Sequence, residues 1–200
     1  MANVKAIIFD YYGVLLANTH NARLANLWQT SPDKAKEFSA VNRAADRGIL
    51  SQEESRRRMA ELLGISYEEM LAEYAMGEIP NKDLIDFIEN SLKPHYKIGL
   101  LSNSSSRVQL DERFDPGRLD EIFDAVVSSG DIGFIKPQTE AYEYVAMKLG
   151  VLPEECVMID DVEDFCEGAR AAGMKAVLFR SFEQARAELL TLIDTPPKKV

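Results

Sequence analysis

Three times along this chain a short apolar run stops abruptly at polar residues that can carry chemistry. Ala6-Ile7-Ile8-Phe9 stops at Asp10, Leu100-Leu101 at Ser102-Asn103, and Cys156-Val157-Met158-Ile159 at Asp160-Asp161. Runs this short and this apolar read as strands buried on both faces, the kind found in parallel sheets. Helical patterns separate them, which points to right-handed crossovers and one parallel sheet. The carboxyl ends of such strands share one edge, where open α/β sheets hold their ligands. Asp10, Ser102, Asn103, Asp160 and Asp161 are therefore expected to converge, and Gly13 is expected to turn the backbone tightly beside Asp10.

The stretch after the first run changes period. His20 to Gln29 carries Leu24, Leu27 and Trp28 at helical spacing. Ser31-Pro32 reads as an N-cap with proline in the first turn, opening a helix to about Arg47 that Gly48 ends. Ser51-x-x-Glu54 and Ser66-x-x-Glu69 are capping-box patterns for helices closing near Gly64 and Ala75. No strand pattern occurs from His20 to Gly77, so a helical module is inserted after the first strand. Beyond Pro80, Lys82–Leu92 is an amphipathic helix with Leu84, Ile85, Ile88 and Leu92 on one face. Residues 104–120 mix a helix start with a turn at Pro116-Gly117. Ala125–Val127 is a short strand, Gly130–Pro137 a loop, and Thr139–Leu149 a helix that Gly150 ends. Asp164–Ala172 is a helix, Lys175–Phe179 a strand, and Ser181-x-x-Gln184 opens the last helix. Thr195–Val200 reads as a frayed tail. The expected fold is α/β, a Rossmann-like parallel sheet core flanked by helices with a small helical cap. Residues 1–16 and 80–200 form the core and 17–79 the cap, an arrangement that 200 residues can support.

The formal net charge of −10 argues against nucleic-acid or acidic-membrane partners. Arg56-Arg57-Arg58 lies within an acidic helix and reads as a solvated face. Cys156 and Cys166 read as buried free thiols in a reducing compartment. No apolar segment is long enough to span a membrane and no signal-peptide pattern opens the chain. A cytoplasmic location is expected, and oligomeric state is not encoded legibly.

Like charges at close range disfavour ionisation, so Asp10, Asp160 and Asp161 together call for a hard divalent cation such as Mg²⁺. Ser102 and nearby backbone N–H groups suit a phosphate at a strand-to-helix turn. Lys136, ahead of Pro137, supplies a positive charge for a phosphoryl oxygen or for Asp10. These parts suit attack by a carboxylate on phosphorus.

The same residues resemble the motifs of the haloacid dehalogenase-like superfamily. Its first motif, an apolar strand then Asp-x-Asp-Gly-(Thr/Val), stands here as Phe9-Asp10-Tyr11-Tyr12-Gly13-Val14-Leu15. Its second is Leu100-Leu101-Ser102-Asn103, its third Lys136-Pro137, and its fourth Met158-Ile159-Asp160-Asp161 followed by Glu167-Gly168-Ala169-Arg170-Ala171-Ala172-Gly173. The resemblance implies that Asp10 is a nucleophile forming an aspartyl-phosphate, and that Ser102, Asn103 and Lys136 hold the phosphoryl group. It implies Mg²⁺ held by Asp10, Asp161 and the Tyr12 carbonyl, with Asp160 acting through a metal-bound water. It also implies that the helical insert is a small cap.

Two residues depart from the pattern. Tyr12 replaces the second aspartate, usually the general acid/base, and a phenol is a poor base at neutral pH. Phe165 stands four residues after Asp161, where Asp or Asn is common, with Asp164 one place early. The leading expectation is a Mg²⁺-dependent phosphatase of a small phosphorylated metabolite, a sugar phosphate among the candidates. A catalytically weak or silent binding or regulatory protein is the alternative, favoured by Tyr12 and Phe165. A 2-haloacid dehalogenase is third, since that branch carries an aromatic at Tyr12 but lacks the acidic pair. His20 and His95 read as surface or packing residues, and Trp28, Tyr67 and Tyr74 as packing of the cap. Arg23, Asn42 and Arg43 are candidates to face substrate. Ser104, Ser105 and Ser106 either contact phosphate or cap the next helix.

Overall fold

A computed structural model describes residues 3–16, 26–77 and 79–193, with the backbone alone for 74–77. The strands are β1 (Ala6–Phe9), β2 (Lys97–Ser102), β3 (Ala125–Ser128), β4 (Cys156–Asp160) and β5 (Lys175–Leu178). They form one parallel sheet in the order β3-β2-β1-β4-β5. The chain builds outward from β1 through β2 to β3, then crosses back to lay β4 on the other side of β1. The topological switch therefore falls at β1, and Asp10 follows it directly. Ladder register sets Phe9 beside both Leu100 and Ile159, so Asp10 comes level with Asp160 and Ser102 lies one residue further along β2.

All four β1 residues are buried, as the uninterrupted apolar run requires. Successive side chains point to opposite faces. Ile7, Phe9, Ile98, Leu100, Val157 and Ile159 pack one core, while Ala6, Ile8, Leu101, Cys156 and Met158 pack the other. Both cysteines are buried and free, as expected.

The helices are α1 (Pro32–Asp46), α2 (Gln52–Leu63), α3 (Tyr67–Gly77), α4 (Lys82–Phe87), α5 (Arg107–Asp111), α6 (Arg118–Ile122), α7 (Ser129–Ile132), α8 (Thr139–Leu149), α9 (Glu163–Ala171) and α10 (Phe182–Leu192). Residues 26–30 are also helical; the rest of the expected His20–Gln29 helix and the tail beyond residue 193 lie outside the described residues. The local signals account for the ends. Ser51 and Ser106 accept the N–H of the residue three on, Ser66 and Glu69 exchange both bonds of a capping box, and so do Ser181 and Gln184. Gly64 and Gly150 end their helices at positive φ.

Two elements differ from expectation. The helix from Lys82 does not run on as α; residues Ile88–Leu92 widen into a π turn. Lys93 N–H reaches back to the Ile88 carbonyl, Pro94 cannot extend the ladder, and Ile88 and Leu92 stay fully buried. The expected loop after β3 begins with the single turn α7, too short to leave a periodic signal.

The insert has its own apolar cluster of Phe38, Val41, Met59, Ala60 and Met70. Leu16 and Pro80 pair in an antiparallel bridge, so the chain leaves the sheet and returns to it at one place. Trp28 does not join that cluster: it is 44% exposed. Tyr67 does pack within the insert, with the Arg57 guanidinium 4.2 Å above its ring. His95 is exposed, while His20 and the Tyr74 side chain lie outside the described residues. No helix among the described residues is long and apolar enough to cross a membrane.

Candidate active site

Asp10 begins where β1 ends. Its backbone N–H still bonds the Ile159 carbonyl at 2.9 Å, so the sheet fixes the backbone while the side chain leaves the ladder. The chain then winds into a tight turn in which Leu15 and Leu16 N–H both bond the Tyr11 carbonyl and Gly13 N–H bonds Leu16. Gly13 has φ +90°, and any Cβ there would overlap the Asp161 carboxylate. Glycine is needed on both counts: for the left-handed backbone and for the acid that leans on it.

Asp10, Asp160 and Asp161 each offer an oxygen within 4.8 Å of the others. One cation stands among them. Lys136 Nζ lies 2.6 Å from Asp10 Oδ1 and 2.6 Å from Asp160 Oδ2, with none of its side chain exposed. Burial works against its charge, but the two carboxylates outweigh it and hold the lysine above its ordinary pKa. Burial pushes Asp10 up to about 8, with Asp160 adding to the rise and Lys136 opposing it. Asp161 is raised to about 6, by burial first and by Asp160 second. The site holds more carboxylates than one lysine balances, so Asp10 retains its proton at neutral pH.

The expected residues play distinct structural parts. Asp160 spends one oxygen on Lys136 and the other on the Val162 N–H at 3.0 Å. Asn103 spends both ends of its carboxamide on the Lys136 backbone, accepting its N–H at 2.9 Å and donating to its carbonyl at 3.1 Å. That pair of bonds clamps the Lys136 loop to the end of β2. Ser102 is fully buried, and its Oγ has no hydrogen-bond partner. An orphaned buried hydroxyl costs about 1–3 kcal/mol, which a bound acceptor or donor would offset. Ser104 and Ser105 are engaged with Ser128, Ser129 and Gln109, and Ser106 caps α5. Phe165 turns its ring to Lys136, 5.0 Å from Nζ, while Asp164 is exposed. The aromatic at that position thus faces the lysine.

The Tyr12 ring stands edge-on to Tyr11 at 4.8 Å, and its hydroxyl accepts a bond from Gln109 Nε2 at 3.0 Å. From the insert, Asn42 and Asp46 line a small cavity against Ser105 and Gln109, whereas Arg43 is exposed and Arg23 lies outside the described residues. Asp46 and Gln109 were not among the expected residues. Asp46 lies far in sequence from every motif, and Gln109, six residues past Asn103, carries no local signal that marks it.

A family profile described as haloacid dehalogenase-like hydrolase matches residues 4–173. A phosphatase of Mycobacterium tuberculosis is 37% identical over 99 residues, which are 50% of this chain and 46% of the relative. The match thus spans less than half the length of that relative. A glyceraldehyde 3-phosphate phosphatase of Methanothermobacter thermautotrophicus is 27% identical over 89% of this chain and 86% of its own length. Among solved structures, a family enzyme of Bacteroides thetaiotaomicron in complex with magnesium and inorganic phosphate superposes with a TM-score of 0.70 at 20% identity, covering 90% of this chain and 96% of that one.

Proposed function

The chain belongs to the haloacid dehalogenase-like hydrolase family, and from that premise we propose that it is a phosphatase acting on a small phosphomonoester through an aspartyl-phosphate on Asp10. One observation carries the proposal: a strand-end carboxylate paired with a fully buried lysine, beside a buried serine hydroxyl that has no partner. The lysine holds the Asp10 oxygen in place and offers positive charge where a phosphoryl oxygen would develop it. Ser102 Oγ would supply a hydrogen bond to the same group.

The donor set fits a hard divalent cation. It is all oxygen, and it gathers three carboxylates, of which burial and a like-charged neighbour push Asp10 and Asp161 above the ordinary aspartate value. Asp10, Asp161 and the Tyr12 carbonyl would hold Mg²⁺, with Asp160, whose oxygens already accept from Lys136 and the Val162 N–H, acting through a metal-bound water. Such an ion supplies positive charge that lets the acids ionise together and screens the approach of a phosphate dianion. The residues do the rest. Asp10 attacks phosphorus, Lys136 orients Asp10 and the phosphoryl group, and Asn103 holds Lys136. The named activities and ligands of the relatives agree with this chemistry. A 2-haloacid is itself a carboxylate and would meet a cluster of three acidic residues here.

The test is phosphate release from a panel of small phosphomonoesters, with and without Mg²⁺, by wild type and Asp10→Asn. Turnover that requires both Mg²⁺ and Asp10 is expected. Silence across the panel in a folded protein would refute the proposal and favour a binding or regulatory role.

A further inference from the structure

A phosphatase of this kind has two proton problems. The leaving oxygen must be protonated, and a water must later lose a proton as it attacks the phosphorylated aspartate. Tyr12 stands where the motif usually carries the acid that does both, and its hydroxyl is held by Gln109.

A carboxyl from the insert comes to the same edge of the core. Asp46 is the last residue of α1. Its segment is docked on the turn after β3: Ser129 Oγ donates to the Asp46 carbonyl, and a Cβ at Gly48 would lie 3.3 Å from the Gly130 oxygen. Asp46 also borders a cavity of about 40 Å³, room for roughly two waters. Gln52 and Arg56 border it from the insert side, and Ser105 and Gln109 close it from the core. Gln109 is the residue that holds Tyr12, so the cavity abuts the site through one side chain. A buried donor without a partner, Gln52 Nε2, belongs to a residue on that wall.

We propose that Asp46 is the general acid and base of the phosphoryl transfer, taking the part that Tyr12 has vacated. The proposal rests on the phosphatase reading and extends it. As an Asp10 oxygen attacks phosphorus, the bond from phosphorus to the leaving oxygen breaks, and that oxygen takes the Asp46 proton. The Asp46 carboxylate then accepts a proton from the water whose oxygen attacks the aspartyl-phosphate. The bond from phosphorus to Asp10 breaks, releasing inorganic phosphate and restoring the Asp10 carboxylate and the Asp46 acid.

The surroundings suit that task. Burial raises Asp46 to about 7, with the Lys136 ammonium pulling the other way. A position at the carbonyl end of a helix also disfavours the anion. The other charged groups nearby are Arg56 on the cavity wall and Asp131 on the adjoining turn, which is bonded to the Arg107 N–H. A carboxyl poised near neutrality is suited to give and regain a proton at physiological pH.

The experiment compares wild type and Asp46→Asn on two probes with Mg²⁺ present. One is β-glycerophosphate, whose alkoxide needs a proton to leave. The other is p-nitrophenyl phosphate, whose nitrophenolate does not. Asp46→Asn is expected to lose about 10²–10⁴-fold in turnover of the alkyl ester. With the aryl ester it should release a burst of nitrophenolate equal to the enzyme and then stall as phosphoenzyme. Its melting temperature at about pH 8 should equal or exceed that of wild type, because a poorly solvated carboxylate is gone. Alkyl-ester turnover within about threefold of wild type would overturn the proposal, as would equal loss on both esters without a burst, or a clearly lower melting temperature. If wild type itself hydrolyses neither probe nor any other phosphomonoester, the phosphatase reading fails first and takes this proposal with it.

Discussion

Replacing Lys136 with methionine keeps the volume of the stem and removes a buried cation from a cluster of acids. Nζ lies 2.6 Å from an oxygen of Asp10 and 2.6 Å from one of Asp160, with no side-chain exposure. At an effective dielectric of about 20, each contact is worth roughly 6 kcal/mol of gross attraction, most of it offset by the desolvation of the charges. Removing one partner of such a buried group costs on the order of 3–5 kcal/mol, because the charges left behind have lost their compensation. For a chain of this length that is a fall of roughly 6–20 °C in melting temperature. The sign with pH follows from the acids. Asp10 already titrates near 8 when folded, against 3.8 for an ordinary aspartate. A raised carboxyl pKa gives stability that is complete below the unfolded value and is lost as pH rises through the folded one. Without the lysine that loss steepens, so the deficit should be largest at about pH 8 and shrink toward about pH 5. A saturating divalent cation should recover part of it, about 2.7 kcal/mol at a hundredfold excess over Kd. Thermal denaturation at both pH values, with EDTA and with Mg²⁺, reads all three effects. A variant that melts within about 2 °C of wild type at pH 8 in EDTA would refute the charge argument.

Three further outcomes follow from single residues. Gly13→Ala strains a left-handed backbone and drives a methyl into the Asp161 carboxylate, so Mg²⁺ affinity measured by titration calorimetry should fall at least about tenfold; unchanged affinity would remove Asp161 from the metal site. Gly168→Ala places a Cβ 2.6 Å from Pro137 Cβ, pushing α9 against the loop that carries Lys136, and should cost about 1–3 kcal/mol in urea unfolding together with lost phosphate release; full activity in a folded variant would show the loop to be tolerant. Burial raises both Cys156 and Cys166 to about 12, so neither should react with a thiol reagent at pH 8 until the protein unfolds; rapid native-state labelling of either would contradict its placement.

The parts of this fold that were legible in advance are those whose causes are local. Ala6–Phe9 and Cys156–Ile159 announce strands because both of their faces pack against apolar cores. Ser66 with Glu69 and Ser181 with Gln184 announce helix starts because a side chain three residues away satisfies an orphaned N–H. Strand-end Asp10, Ser102 and Asp160 were legible as one site because parallel crossovers put like ends on one edge. The π turn at Ile88–Leu92 was not, since its widening answers to Pro94 and the burial of both flanking residues at once.

The sequence by itself thus determined the parallel sheet, the helical insert after β1 and the convergence of Asp10, Lys136 and Asp160-Asp161 in family order. Tertiary structure alone decided what each side chain does there. Asn103 holds the Lys136 backbone, Phe165 covers the ammonium, Gly168 clears a path for Pro137, and Gln109 takes the Tyr12 hydroxyl. It alone brought Asp46 from the end of an insert helix to a cavity shared with Ser105 and Gln109 of the core. The reason is physical: periodicity and capping act over three or four residues, whereas hydrogen-bond partners and desolvation depend on which distant backbone the crossovers bring alongside.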